Sequence, residues 1–421
     1  MAKEIEYFIA QRTSRGQSRG GGGVMLPVAT LSVALSIAVM VITIAIILGF
    51  KTEVHTKLTS LSGQIVMSTM GGSSPTNTRS IERTDDAELI ASSAASQLGT
   101  ELMRISPIAT RGAIIRTSTA VEGVMLKGVD GSYDTSIFES GLVDGELTNF
   151  AAEDKNRNVM IAKGLASSVG VQVGDKIELL VTDDDGEMRR DLYRVGGIYS
   201  SGLGEAEKML IITDIRNVQR LNGWSEGQIS NYELWLSDLS LAPKVADQIN
   251  TDIIYSDSEA LGAVVAYDVQ RLYPSIFDWL AAHDINAVVI IVIMMMVALF
   301  NIITAMLILV LERTQLIGIL KALGMNDISI RKIFLYRALG ITTRGLLYGN
   351  GIAILFCLVQ HHFKLLKLDE VGYILSAVPI DLSAWWLLLL NCGVILLILL
   401  LVVIPTKMVG RIEPSKAIKF Q

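Results

Sequence analysis

Residues able to hold a metal or attack a substrate are sparse in this 421-residue chain: His55, His283, His361 and His362, with Cys357 and Cys392. His361 and His362 are adjacent, so on a helix they point about 100° apart and make a poor chelate. They read better as an interface feature. Carboxylates are numerous, but none falls in a spacing that marks an acid/base pair, and Asp183-Asp184-Asp185 reads as a solvated hairpin tip. The chain lacks the Gly-x4-Gly-Lys-[Ser/Thr] loop that cradles nucleotide phosphates, a His-Glu-x-x-His pair and any Cys-x-x-Cys. No catalytic residue, metal or cofactor is therefore expected on this chain.

One short stretch is built to bind. In Glu312-Arg313-Thr314-Gln315-Leu316-Ile317-Gly318-Ile319-Leu320-Lys321-Ala322-Leu323, the residues Leu316, Ile319, Leu320 and Leu323 recur at i, i+3, i+4 and i+7 and predict an amphipathic helix with one apolar stripe. Gly324 ends it, and Asn326 or Asp327 can cap a second helix starting near Ile328. Such a stripe needs an apolar groove, supplied either by lipid headgroups or by a partner protein.

Membrane spans position that helix. Residues 24–48 and 287–311 are charge-free runs of 25, and 385–404 is a run of 20, each long enough at about 1.5 Å per residue to cross a core of about 30 Å. The charge-free stretch 345–359 covers only about 22 Å as a helix, so it must borrow residues 335–344, which places Arg344 near one membrane face. Arg344 then either snorkels to headgroups or makes an interhelical polar contact. Gly345 and Gly349 form a GxxxG that lets this span pack closely on a neighbour.

The predicted fold class is a four-span α-helical membrane protein with a large α+β extracytoplasmic domain between helices 1 and 2. Its segments are a cytoplasmic amphipathic N-terminus (1–23), span one (24–49), the outer domain (50–284), span two (285–311), the cytoplasmic loop (312–334), span three (335–360), a short outer loop (361–384), span four (385–404) and a cytoplasmic tail (405–421). Orientation follows from Lys3, Arg12, Arg15 and Arg19, from Arg313, Lys321, Arg331, Lys332 and Arg337, and from Lys407, Arg411, Lys416 and Lys419, which belong in the cytoplasm. Residues 51–284 hold 20 Lys+Arg against 34 Asp+Glu, a balance of −14, while the rest holds 16 against 8, or +8, and the two sum to the net −6. An acidic outer block would repel phosphates, so nucleic-acid binding is not expected. Both cysteines fall inside predicted spans, leaving the outer domain to a packed core without a disulfide.

Within the outer block, strands are predicted at 158–161, 176–181, Met188–Tyr199, 209–212 and 232–236. Helices are predicted at Lys163–Val169, at 215–221 behind an Asp214 N-cap, and at 242–249 behind Asp238. Asp185-Gly186 closes a hairpin, Gly71 to Thr78 reads as a surface loop, and Pro274 opens a helix running straight into the second span. Trp279, Trp385 and Trp386 are expected at the outer interface.

The motif of residues 312–325 resembles the coupling helix of ABC-transporter permeases of the FtsX/MacB type. The order of one span, a large outer domain and three clustered spans is similar, as is Leu165-Ala166 through Val173-Gly174-Asp175-Lys176. So is Arg411-Ile412-Glu413-Pro414-Ser415-Lys416-Ala417-Ile418. Residues 8–15, Gly49-Phe50-Lys51-Thr52-Glu53, Leu368-Asp369 to Tyr373 and Val378-Pro379-Ile380 resemble the lipoprotein-releasing LolC/LolE branch. Gln315 stands where that family often has an acidic residue. The resemblance implies a transport subunit of the bacterial inner membrane without its own ATPase, ATP and Mg being held by a partner ATPase chain onto which Glu312, Arg313, Gln315, Leu316, Ile319, Leu320, Leu323 and Gly324 dock. It further implies a second permease copy or paralogue, a periplasmic lipoprotein carrier and lipoprotein substrates. An acyl cavity between the first and second spans of two subunits would take Met40, Ile44, Ile47, Met294, Met295 and Leu299 as adaptable walls, although each is also an ordinary packing or lipid-facing residue. The alternatives are a MacB-like mechanotransmitting export subunit and an FtsX-like regulator of cell-wall hydrolases; the size of the outer block argues against the latter.

Overall fold

The computed structural model describes residues 22–70, 79–117, 120–150, 156–182, 188–202, 204–256, 258–368, 375 and 377–406. The N-terminal basic segment, the loop from Gly71 to Thr78, the Asp183 to Gly186 tip, Asp369 to Tyr373 and the motif from Arg411 to Ile418 lie outside them. The chain divides into two compact units: one built from residues 1–52, 279–366 and 378–421, the other from 53–278 and 367–377.

The first unit is helical. Helix α1 (Gly22–Ser62) begins in it, and α6 (Pro274–Glu312), α7 (Thr314–Ala322), α8 (Asp327–Phe363) and α9 (Ala384–Thr406) complete it. Among the described residues, α1, α6 and α8 each contain a stretch long and apolar enough to cross a membrane, and α9 has a shorter apolar part, Ala384–Leu400. As Pro274 predicts, α6 is one unbroken helix of 39 residues. Arg337 and Arg344 do not interrupt α8 either, since 37 residues run helical behind an Asn326 cap whose side chain accepts from the Ile328 N–H at 3.3 Å. The bundle core gathers Val33, Ile37, Met40, Ile302, Met306, Ile341 and Val394.

The second unit is a mixed α+β domain. Its strands are β1 (Ile65–Thr69), β2 (Ile81–Glu82), β3 (Leu102–Arg116), β4 (Val121–Val129), β5 (Leu142–Gly145), β6 (Asn158–Ala162), β7 (Lys176–Thr182), β8 (Met188–Tyr199), β9 (Leu210–Asp214), β10 (Gln228–Ile229), β11 (Asn231–Leu236) and β12 (Val264–Asp268). The order is β12-β1-β11-β3-β4-β9-β6-β8-β5, and β7 pairs with both β3 and β8. That double pairing closes β3-β4-β9-β6-β8-β7 into a six-stranded ring, with Ile115, Leu126, Val159, Ile177, Leu179, Val195 and Ile211 in one core cluster. The pairs β4–β9 and β6–β8 are parallel. Helices α2 (Asp86–Gln97), α3 (Lys163–Val169), α4 (Ile215–Asn222) and α5 (Ala242–Tyr255) cover the sheet, with α2 packing through Ala87, Ala91, Ala94 and Ala95 against the cluster that holds Val245, Ala246 and Ile249.

Local signals place several of these elements. Asp214 accepts from the Arg216 N–H at 2.9 Å and starts α4. Asp238 caps a 3-10 turn, Leu239–Leu241, immediately before α5, so its turn precedes the helix it was expected to open.

Candidate functional site

The helix of the 312–325 segment forms, as α7, and its surroundings correct the predicted stripe. Ile317 and Gly318 are buried, Leu316 and Leu320 are half-buried with Leu320 against the bundle core, and Ile319 and Leu323 are exposed at 44% and 78%. The four leucine and isoleucine positions therefore do not make one open face. At 100° per residue, the open arc holds Gln315, Ile319, Ala322 and Leu323, about a third of the circumference. Periodicity marks which residues share an arc, but a helix of nine residues with apolar side chains nearly all round can turn any of several arcs to its own protein.

Both ends of α7 are held. Thr314 donates to the Leu311 carbonyl at 2.6 Å, and the Ile317 N–H donates to the Arg313 carbonyl at 2.9 Å. At the other end Gly324 turns with φ +87°, a conformation without strain only for glycine, and Lys321 pairs with Asp327 at 2.9 Å. Glu312 and Gly324 are exposed and Arg313 is half-buried.

Gly345 and Gly349 bring α8 onto α1. A Cβ on Gly345 would stand 2.6 Å from Val33 Cγ1, and one on Gly349 would stand 2.5 Å from the Ala34 carbonyl oxygen and 2.8 Å from Ile37 Cβ. Only hydrogen at these positions permits that approach, the use such spacing has in membranes. Polar ties join other helices: Asn350 donates to Asn391 of α9 at 3.0 Å, and Asn301 of α6 bonds the Ser32 hydroxyl of α1.

The six residues proposed as cavity walls are not equivalent. Met40 is fully buried in the bundle core, so its role as an open wall is corrected: an all-apolar helix does not show in sequence which side meets its neighbours. Ile44, Ile47, Met294, Met295 and Leu299 are half-buried. Of α1, α6 and α8, helix α6 is the least covered, with 17% of its most apolar stretch buried against 44% for α1 and 39% for α8, and Val288, Val292, Ile293, Met296 and Phe300 stand exposed on it. No group of three potential metal ligands occurs among the described residues.

A buried polar cluster in the α+β unit escaped the sequence reading. Lys127 of β4 pairs with Glu233 of β11 at 2.7 Å, with side chains only 5% and 6% exposed. Its ammonium also donates to Tyr133 at 3.1 Å and to the Leu61 carbonyl in the last turn of α1. Burial pushes the Lys127 ammonium below its ordinary value and the Glu233 carboxyl above its own, each offset in part by the other. A cation thus closes the carbonyl end of the helix that enters from the bundle. The signal was a single lysine among the otherwise uncharged residues 123–129 and a single glutamate inside Asn231–Leu236.

Two family models match the chain: a MacB-like periplasmic core domain over residues 28–252 and an FtsX-like permease C-terminal over residues 288–414. A lipoprotein-releasing system transmembrane protein LolC of Xylella fastidiosa (strain Temecula1) is 22% identical over 442 residues, covering 100% of both chains. A LolE protein of Haemophilus influenzae is 21% identical over 440 residues, 98% of each chain. The solved periplasmic region of MacB from Actinobacillus actinomycetemcomitans is 12% identical, covers 50% of this chain and 91% of its own, and aligns with a TM-score of 0.31.

Proposed function

Since this chain belongs to the FtsX-like permeases that carry a MacB-like periplasmic core domain, we propose that it is the membrane subunit of an ABC transporter that extracts lipoproteins from the bacterial inner membrane. The observation that carries this reading is the full-length match to proteins named for lipoprotein release, across both the helical and the α+β unit. ATP is hydrolysed by a separate chain, and the exposed arc Gln315, Ile319, Ala322 and Leu323 of α7 is the surface that chain grips. A second permease, the same chain or a paralogue, covers the exposed apolar side of α6. Four helices cross the membrane with both termini in the cytoplasm, α9 being the fourth, and the α+β unit meets the carrier outside.

Nucleotide closure then shifts α7, and α8 moves with it through the short Gly324 turn. Because Gly345 and Gly349 seat α8 on α1, the displacement passes to α1, whose last turn is tied by Lys127 inside the α+β unit.

Reconstituting the chain with its ATPase and second permease in proteoliposomes tests the proposal. ATP should release an acylated lipoprotein to a soluble carrier, and Leu323→Asp should abolish release while the chain still folds. ATP hydrolysis without lipoprotein release, in the presence of carrier, would leave the MacB-like export reading in its place.

A further inference from the structure

Alongside the Gly345–Gly349 contact, α1 and α8 leave a groove of about 750 Å³, within the usual range for ligand sites of about 300–1,000 Å³. It is bordered by Pro27, Thr30, Leu31 and Ala34 on α1, and on α8 by Arg344 and Tyr348, then Leu347, Gly351, Ile352 and Leu355. The two helices run in the same direction here, since Gly345 faces Val33 and Gly349 faces Ile37. Thr30 and Arg344 therefore share one end, and the other end is apolar.

Arg344 is exposed at that polar end and, among the described residues, has neither a carboxylate nor a carbonyl partner. Its nearest charged neighbour on the helix is a second cation, Arg337, two turns earlier on the same face. Nineteen residues separate Arg344 from the end of α8 at Phe363, about 28 Å at 1.5 Å per residue, close to the hydrocarbon thickness of about 30 Å. The guanidinium thus lies at the depth of lipid phosphates. From Arg344 to Leu355 the groove extends about 16 Å, the thickness of one leaflet.

We propose that this groove binds a single anionic phospholipid, its phosphate on Arg344 and an acyl chain along Leu347, Gly351, Ile352 and Leu355. The charge argues for the occupant: an unpaired cation at an apolar groove's headgroup end favours a lipid with a net negative head over a zwitterionic one, and a planar guanidinium matches phosphate oxygens in two-point geometry. The bound lipid fills the space beside the tightest α1–α8 contact. The inference rests on the helices spanning a bilayer and is independent of lipoprotein release.

The test uses the full-length chain in nanodiscs of phosphatidylcholine with a minor fraction of phosphatidylglycerol, followed by native mass spectrometry of retained lipid. Wild type should keep one phosphatidylglycerol per chain, enriched about five-fold over its share of the bilayer. Arg344→Gln should lose the enrichment, and Arg344→Lys should keep part of it. Gly351→Leu should lose retained lipid of both kinds with the charge intact, because nothing lies within 4 Å of a Cβ added there and the new side chain enters the groove without disturbing the backbone. Gly351→Leu also decides the matter if Arg344→Gln does not fold. Equal retention of the two lipids in wild type would overturn the proposal, as would unchanged retention in Gly351→Leu. Displacement of the lipid by an acylated peptide lacking phosphate, as effectively as by added phosphatidylglycerol, would overturn it in favour of acyl cargo.

Discussion

Replacing Lys127 with Met keeps the aliphatic stem in place and removes only the ammonium. Three acceptors then lose the ammonium: the Glu233 carboxylate, the Tyr133 hydroxyl and the Leu61 carbonyl, the last of which keeps the Tyr133 hydroxyl as a donor at 3.2 Å. The carboxylate dominates, since its side chain is only 6% exposed and has no water to turn to. Breaking such a pair costs about 3–5 kcal/mol, against a total of about 5–15 kcal/mol for a typical domain. Removing both charges in Lys127→Met/Glu233→Met leaves an apolar pair of similar volume, and the Tyr133 hydroxyl still donates to the Leu61 carbonyl at 3.2 Å, so neither is orphaned. The double variant should therefore be less destabilised than Lys127→Met by at least about 1 kcal/mol, a coupling well outside additive behaviour. Urea unfolding of the full chain in detergent, read by pulse proteolysis and by hydrogen exchange of β4 and β11, measures both. The pH dependence has a definite sign. Burial already raises the Glu233 carboxyl, and loss of Lys127 removes the main pull in the other direction. A group whose folded pKa is raised favours the folded state at low pH and loses that contribution as pH rises, so the Lys127→Met deficit should shrink on acidification as Glu233 takes up a proton. A double variant as unstable as the sum of the two singles, or a deficit that grows on acidification, would refute the account of a desolvated, mutually dependent pair.

Gly349→Leu should lower the melting temperature in detergent by the equivalent of about 1–3 kcal/mol, because its Cβ meets the Ala34 carbonyl oxygen at 2.5 Å, while Gly351→Leu one half-turn on should leave it unchanged. Ile319→Asp and Leu323→Asp should leave the chain's thermal stability intact and abolish lipoprotein-stimulated ATP hydrolysis in the assembled complex, whereas Ile317→Asp, buried under α7, should destabilise the chain itself. Asn350→Leu, which removes the bond to Asn391, should cost about 0.6–1.7 kcal/mol in the same melting assay, the usual worth of an interhelical bond in a bilayer.

Signals that act over a few residues were legible in the sequence. The Asp214 cap, the Asn326 cap, the α3 segment and the strand Met188–Tyr199 appear where residue type and local period place them. The fifteen-residue strand β3 was not legible. Pro107, Gly112 and three arginines interrupt its alternation, and it is paired with partners as distant as Leu180 and Leu234. The closure of the ring by β7 has the same origin, for pairing with β3 joins Ile114 to Leu180 across a loop whose local sequence carries no trace of it.

Composition and charge alone determined that the chain divides between apolar runs long enough to cross a membrane and a water-facing part, and that this part is an acidic block set between them. These follow from quantities that add residue by residue: transfer free energy, helix length and net charge. Which arc of α7 stays open, that Met40 is closed in the core, that Lys127 finds Glu233 and that Arg344 borders a groove were decided only by tertiary structure. Each depends on which side of an element meets another, and an apolar helix or a short strand offers several sides of nearly equal free energy until its neighbours choose one.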